Sequence, residues 1–166
     1  MKNIVILLLA ITPLFVFSQG SVTNEIAWTS LDKAKVLAKK HNQKILIFFY
    51  KKDCSYCEKM KKETLADPYV IKTINQNFFP VKIDSRTKDT IIYNGIAYGN
   101  QQPASSGRKD WRHDFYAEVA AFKVKGQSQI TTPAIVLFNS KFEKIINFPG
   151  NHPKELLLRK LKNYIK

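Results

Sequence analysis

Cysteine is scarce in this sequence: among 166 residues only Cys54 and Cys57 occur, separated by Ser55 and Tyr56. That scarcity excludes a disulfide framework, and a pair so close together closes almost no loop and contributes little chain-entropy stabilisation. Histidine is as thin. His41, His113 and His152 are dispersed through polar stretches, so the cysteine pair lacks the two further ligands of a structural zinc site. Residue 58 is Glu, which removes the covalent haem signature CxxCH. No cofactor and no metal are therefore expected. Acidic residues are few, 13 against 27 basic, for a net charge of +14. Yet arginine is confined to Arg86, Arg108, Arg112 and Arg159, and the lysines are scattered. This pattern reads as a solvated basic surface suited to anionic partners, not as a nucleic-acid interface.

Long apolar runs are missing except at the start. Lys2 precedes Ile4 to Phe17, a run broken by Thr12 and Pro13, and Val16-Phe17-Ser18 stands before Gln19. The pattern is that of a secretory signal cleaved after residue 18, with an uncleaved anchor as the alternative. The first cysteine is far from the cleavage point, which argues against a lipid-modified N-terminus. The expected organisation is a signal peptide over 1–18 and one domain over 19–166, periplasmic or secreted, and monomeric. At 45% hydrophobic and 12% aromatic, the chain can fill one core without disulfide staples. An exported chain lives where disulfides form readily, so two cysteines two residues apart suit chemistry better than architecture.

Thr29 or Ser30 can cap a helix running to about Asn42, with Leu31, Ala34, Leu37 and Ala38 as its apolar stripe. Lys44 to Tyr50 holds an uninterrupted apolar run, Ile45 to Phe49, and reads as a strand covered on both faces. A helix is expected from Cys54 to about Leu65, and a second from Asp67-Pro68 to about Gln76. Phe78 to Asp84 is the next strand. The pattern weakens from Ser85 to Arg112. There Asn94-Gly95 predicts a tight hairpin between Ile91–Tyr93 and Ile96–Tyr98, and 101–109 reads as a polar loop. Asp114 can cap a helix to about Lys125, with Phe115, Val119 and Phe122 on one face. Strands at Ala134 to Phe138 and Phe142 to Phe148, then a helix through Tyr164, complete an α/β domain with a mixed sheet.

The cysteine pair falls where a buried strand passes into a helix. Unpaired N–H groups and the positive end of the helix dipole favour a thiolate at Cys54 there. Lys51 and Lys52 act in the same direction and Asp53 against them. Cys57 follows on the same helix face, within disulfide reach, and is placed to resolve a mixed disulfide formed at Cys54. Metal binding and an inert structural disulfide are the alternatives at this motif. Thr132-Pro133, directly before an apolar strand, suggests a cis proline facing the cysteines, with Thr132 offering backbone groups to an extended peptide. An ordinary trans proline at a strand start is the plainer reading. Tyr50 and Tyr56 are either an apolar rim around Cys54 or simple packing.

Taken together, Ile45–Tyr50 into Cys54-Ser55-Tyr56-Cys57, Thr132-Pro133-Ala134 before Ile135–Phe138, and Phe148-Pro149-Gly150 resemble the thioredoxin superfamily over about Trp28 to Lys166. The stretch Glu63 to Val70 is similar to exported thioredoxin-related proteins, including the periplasmic domain of the transmembrane thiol–disulfide interchange protein. The resemblance implies a thioredoxin fold, a four- or five-stranded mixed sheet between helices, with an insertion over 85–112. It implies Cys54 as nucleophile, Cys57 as resolving thiol and Pro133 as cis-proline, with Ser55, Tyr56 and Thr132 bordering the substrate. It further implies a reductase of exported protein disulfides, recharged by a membrane thiol-reductant transporter. Departures from the family are Asp53 where tryptophan often stands, and Phe48 where thioredoxin buries an acid, so no general base is assigned. Ser55-Tyr56 leaves the redox direction open. The insertion reads either as a basic lip bearing Trp111 over the groove or as a solvated excursion. A non-enzymatic binding module and a metal-delivery protein are the other functional classes.

Overall fold

Helix α1, Leu31–His41, begins where the Ser30 hydroxyl accepts the Lys33 N–H, and ends at Asn42, whose left-handed backbone returns its N–H to the Ala38 carbonyl. Its buried face carries Ala34 and Ala38, small enough to bring the helix close to the sheet. The computed structural model describes residues 24–100 and 111–165, in which this helix leads into strand β1, Lys44–Tyr50. The expected signal over 1–18 and the whole polar loop at 101–109, with Arg108 and Lys109, lie outside the described residues.

Strand β1 is central. It runs parallel to β2, Phe78–Asp84, and antiparallel to β7, Ala134–Phe138, which pairs antiparallel with β8, Lys144–Pro149. The four-stranded order is β2-β1-β7-β8, a mixed sheet as expected. Ile45 to Phe49 are all fully buried because the two faces of β1 feed two separate cores. Ile45, Ile47 and Phe49 join α1 and an aromatic group of Phe115, Tyr116 and Phe138. Leu46 and Phe48 join Met60, Ile74, Leu157 and Leu161 on the other face. Period-two alternation in a run with no polar residue thus fills both layers of an α/β sandwich.

The cysteine-bearing helix is two-part. α2, Ser55–Lys59, has Cys54 as its N-cap and continues as a π-helical turn over Met60–Thr64, closed by the Leu65 N–H on the Met60 carbonyl at 2.9 Å. Helix α3, Pro68–Asn77, starts at Asp67, whose Oδ1 accepts from Tyr69 N at 2.9 Å and Val70 N at 3.3 Å. Its Oδ2 meets Lys154 Nζ at 3.1 Å, tying α3 to helix α5, Lys154–Lys162. The hydrogen bond from Lys154, first among several causes, holds the Asp67 carboxyl below its ordinary 3.8. A lowered carboxyl binds fewer protons folded than unfolded. Its stabilisation is therefore complete above the unfolded value and is lost as pH falls through the folded one. Asp67→Ala should lower the unfolding free energy by about 1 kcal/mol at neutral pH, through loss of the cap. The gap to wild type should narrow in urea titrations below about pH 4.

Three expectations are corrected. Helix α4 is Asp114–Ala120 and stops before Phe122, instead of running to Lys125. Phe122–Val124 is strand β5, paired with β6, Gln127–Gln129, because Lys125 and Gly126, at φ 48° and 81°, make the tight turn that two positive φ values favour. The cap of α4 is His113 and not Asp114, its Nδ1 accepting the Phe115 N–H at 3.1 Å. Strand β8 starts at Lys144 and not Phe142, which lies at φ 64° in a turn where Asn139 Oδ1 accepts from Lys141 N and Glu143 N.

Within the insertion, β3, Ile91–Tyr93, and β4, Ile96–Tyr98, form the expected hairpin. Its β3 residues Ile91 and Tyr93 are buried in the core beside α1 and α4, while Ile92, Ile96 and Ala97 face solvent.

Candidate active site

Strand β1 delivers the chain to the cysteines through a turn in which Asp53 adopts φ 58°. Cys54 and Cys57 are joined as a disulfide, their Cα atoms 5.2 Å apart. The Cys57 N–H donates to the Cys54 sulfur at 3.2 Å, and the N–H groups of Cys57 and Glu58 both reach the Cys54 carbonyl at 3.0 Å. An amide aimed at the sulfur, at the positive end of a helical turn, stabilises negative charge on that atom once the bond is reduced. Exposure separates the two cysteines. Cys54 retains 9% of its surface and Cys57 none, so an incoming disulfide reaches Cys54 first.

Facing this tip is the turn before β7. The pairing of Phe49 with Ala134 places Thr132 and Pro133 at the end of the sheet where β1 gives way to the cysteines. The Cys54 sulfur lies 3.7 Å from the Thr132 carbonyl oxygen and 3.9 Å from its hydroxyl oxygen. The Thr132–Pro133 peptide is cis. Pro133 is buried, and its carbonyl accepts the Gly150 N–H at 2.8 Å, which fastens the turn to the end of β8. Ser55 and Tyr56 are exposed beside Cys54.

Tyr50 belongs to the packing. Its ring stacks with Phe48 at 6.2 Å, with Lys61 and Lys82 over its face. Phe48 is fully buried, six positions before Cys54, and pairs in register with Lys82 on β2. That position therefore offers Cys57 no carboxylate as a proton acceptor. A cavity of about 670 Å³ opens elsewhere, lined by residues that include Thr29, Asp32, Arg86 and Ile92, and touches neither cysteine nor the Thr132–Pro133 turn.

Two residues that sequence reasoning left out of the site attach to it, one from α4 and one from the segment just before its cap. The Tyr116 hydroxyl donates to the Thr131 carbonyl at 2.5 Å, and the Arg112 guanidinium donates to the Ile130 carbonyl at 3.0 Å. Burial pushes the Tyr116 phenol up to about 12, against the opposing pull of Arg112, so it stays a hydrogen-bond donor throughout the neutral range. Tyrosine on the buried stripe of a helix was the available signal, because a buried phenol needs a partner. Arg112 figured only as a surface charge. Trp111, beside it, lies under Lys88, with Nζ 3.2 Å from the ring centroid.

Residues 31–165 match a family model described as a thioredoxin-like domain. The comparison with curated proteins finds no match. Among solved structures, a DsbH oxidoreductase is similar at 19% identity and a TM-score of 0.53, over 84% of this chain and 83% of that one. A thioredoxin from Thermus thermophilus is similar at 18% identity and a TM-score of 0.54, over 84% and 87%. At such identities the two likenesses bear on the fold alone.

Proposed function

Because the chain belongs to the thioredoxin-like domain family and closes its two cysteines at a helix tip, we propose that it is an exported thiol–disulfide oxidoreductase that reduces protein disulfides. The observation that carries the reading is Cys54, which keeps a residual 9% of its surface, bonded to a fully buried Cys57 and held against the Thr132 turn.

In the dithiol form, the Cys54 thiolate attacks one sulfur of a substrate disulfide. A mixed disulfide forms and one substrate thiolate leaves. Cys57 gives up its proton to water, since Phe48 supplies no acid, and its sulfur attacks the Cys54 sulfur, breaking that atom's bond to the substrate. The second substrate thiolate departs and the Cys54–Cys57 disulfide remains. Two electrons have passed from protein to substrate. A second dithiol must return them, and a membrane thiol-reductant carrier is the partner suited to an exported chain. Thr132 offers its backbone to the extended segment around the substrate cysteine, with Ser55 and Tyr56 on the opposite side. The Lys2-to-Ser18 pattern supports export, and the basic surface suits acidic exported proteins.

The test is the equilibrium potential of the Cys54–Cys57 couple against glutathione, with the mature N-terminus read by mass. A reductase should fall near about −270 mV, whereas a value near about −120 mV would make the protein an oxidase. Export predicts Gln19 as the first residue of the mature chain. Thiols that stay reduced across all ordinary redox buffers would end the oxidoreductase reading.

A further inference from the structure

The segment Ile130–Pro133 is irregular, lying between strands β6 and β7, so sheet pairing does not satisfy its carbonyls. Each carbonyl has a separate neighbour. Ile130 O accepts from the Arg112 guanidinium, Thr131 O from the Tyr116 hydroxyl, and Pro133 O from the Gly150 N–H. Between them, Thr132 O has the Cys54 sulfur at 3.7 Å. Two of the three donors are side chains from one short stretch, Arg112 and Tyr116, which the exchange chemistry itself does not use.

We propose that Arg112 and Tyr116 form a clamp that holds the Ile130–Thr132 edge against Cys54 and so positions the backbone that a substrate peptide pairs with. The proposal rests on the oxidoreductase reading for its substrate, but not for its geometry. Both are positioning residues, since neither touches the reacting sulfurs. Tyr116 is fully buried, with its ring 5.0 Å from that of Phe49, which fixes where its hydroxyl points. Arg112 spans from the end of the insertion to Ile130, and the His113 N–H anchors that end to the Ser85 carbonyl at 2.7 Å. The edge is thus referenced to α4 and to the exit of β2, in addition to its own strand. A peptide that docks on a pre-set edge loses less freedom on binding than one that must order it.

The experiment uses Tyr116→Phe, which keeps the ring, together with Arg112→Ala and Arg112→Lys, in the full mature chain. Two disulfides are compared: an extended peptide disulfide and bis(2-hydroxyethyl) disulfide, which is too small to span the edge. For Tyr116→Phe and Arg112→Ala, the ratio of kcat/KM for the peptide to that for the small disulfide should fall about tenfold, mainly through KM. Arg112→Lys, which retains a charged donor, should recover part of the loss. Hydrogen exchange at Thr131 and Thr132 should quicken in the first two variants, while exchange in β1 stays as in wild type. A ratio unchanged from wild type, or exchange that rises equally in β1, would overturn the clamp. Should wild type reduce neither disulfide, the oxidoreductase reading fails, and exchange alone decides the clamp: local quickening upholds it, unchanged rates refute it.

Discussion

Cys54→Ser will abolish turnover of protein disulfides, with a loss of more than about a thousandfold in kcat/KM, the scale on which removal of a nucleophile acts. The reason is chemical and not architectural. A serine hydroxyl does not ionise in the neutral range, and oxygen cannot enter the exchange by which one sulfur displaces another. The fold should persist. Serine is a good N-cap for α2, where Cys54 already accepts the Cys57 N–H. The disulfide itself closes a separation of only three residues and contributes little chain-entropy stabilisation. Reduction of a peptide disulfide followed by free-thiol release, alongside a urea melt, checks both halves. Retained turnover in a folded Cys54→Ser protein would sink the assignment of the nucleophile.

Cys57→Ser has the second large effect, and its signature differs. The donor that steadies negative charge on Cys54 is the backbone N–H of residue 57, which a serine keeps. The first attack should therefore proceed at close to the wild-type rate, while the displacement that frees the substrate has no sulfur to perform it. Multiple turnover should fall by more than about a hundredfold, and a covalent protein–substrate adduct should accumulate at Cys54. Intact mass and non-reducing electrophoresis detect such an adduct, and dithiothreitol should release it. Adducts that form equally with Cys54→Ser, or not at all with Cys57→Ser, would reverse the two roles. Full burial of Cys57 makes that reversal difficult, since no bulky substrate reaches its sulfur.

Legibility along the chain followed the range of the interactions. The run Ile45 to Phe49 reads as a doubly covered strand because every residue in it must be buried, whichever face it points to. Asn94-Gly95 reads as a hairpin because both residues tolerate positive φ, and they adopt 51° and 75°. The over-long reading of α4 shows the limit of periodicity. Phe122 continues the helical spacing of Phe115 and Val119, but the Lys125–Gly126 turn pulls it into β5. Glycine at 126 was the signal, and it was outweighed by an apolar repeat that tertiary packing did not use.

The site divides in the same way. The cysteines are neighbours in the chain, so their spacing alone brings the sulfurs within bonding reach on one turn of helix. That pair, the apolar strand before it and the α/β alternation are what the sequence determined, because each follows from local covalent geometry or from residues that must leave water. Thr132 stands 78 positions from Cys54, and Tyr116 and Arg112 reach carbonyls 15 and 18 positions away. No local rule links them. Only the closing of β7 against β1, with α4 laid over the same face, decided which carbonyl each donor would meet and what stands beside the Cys54 sulfur.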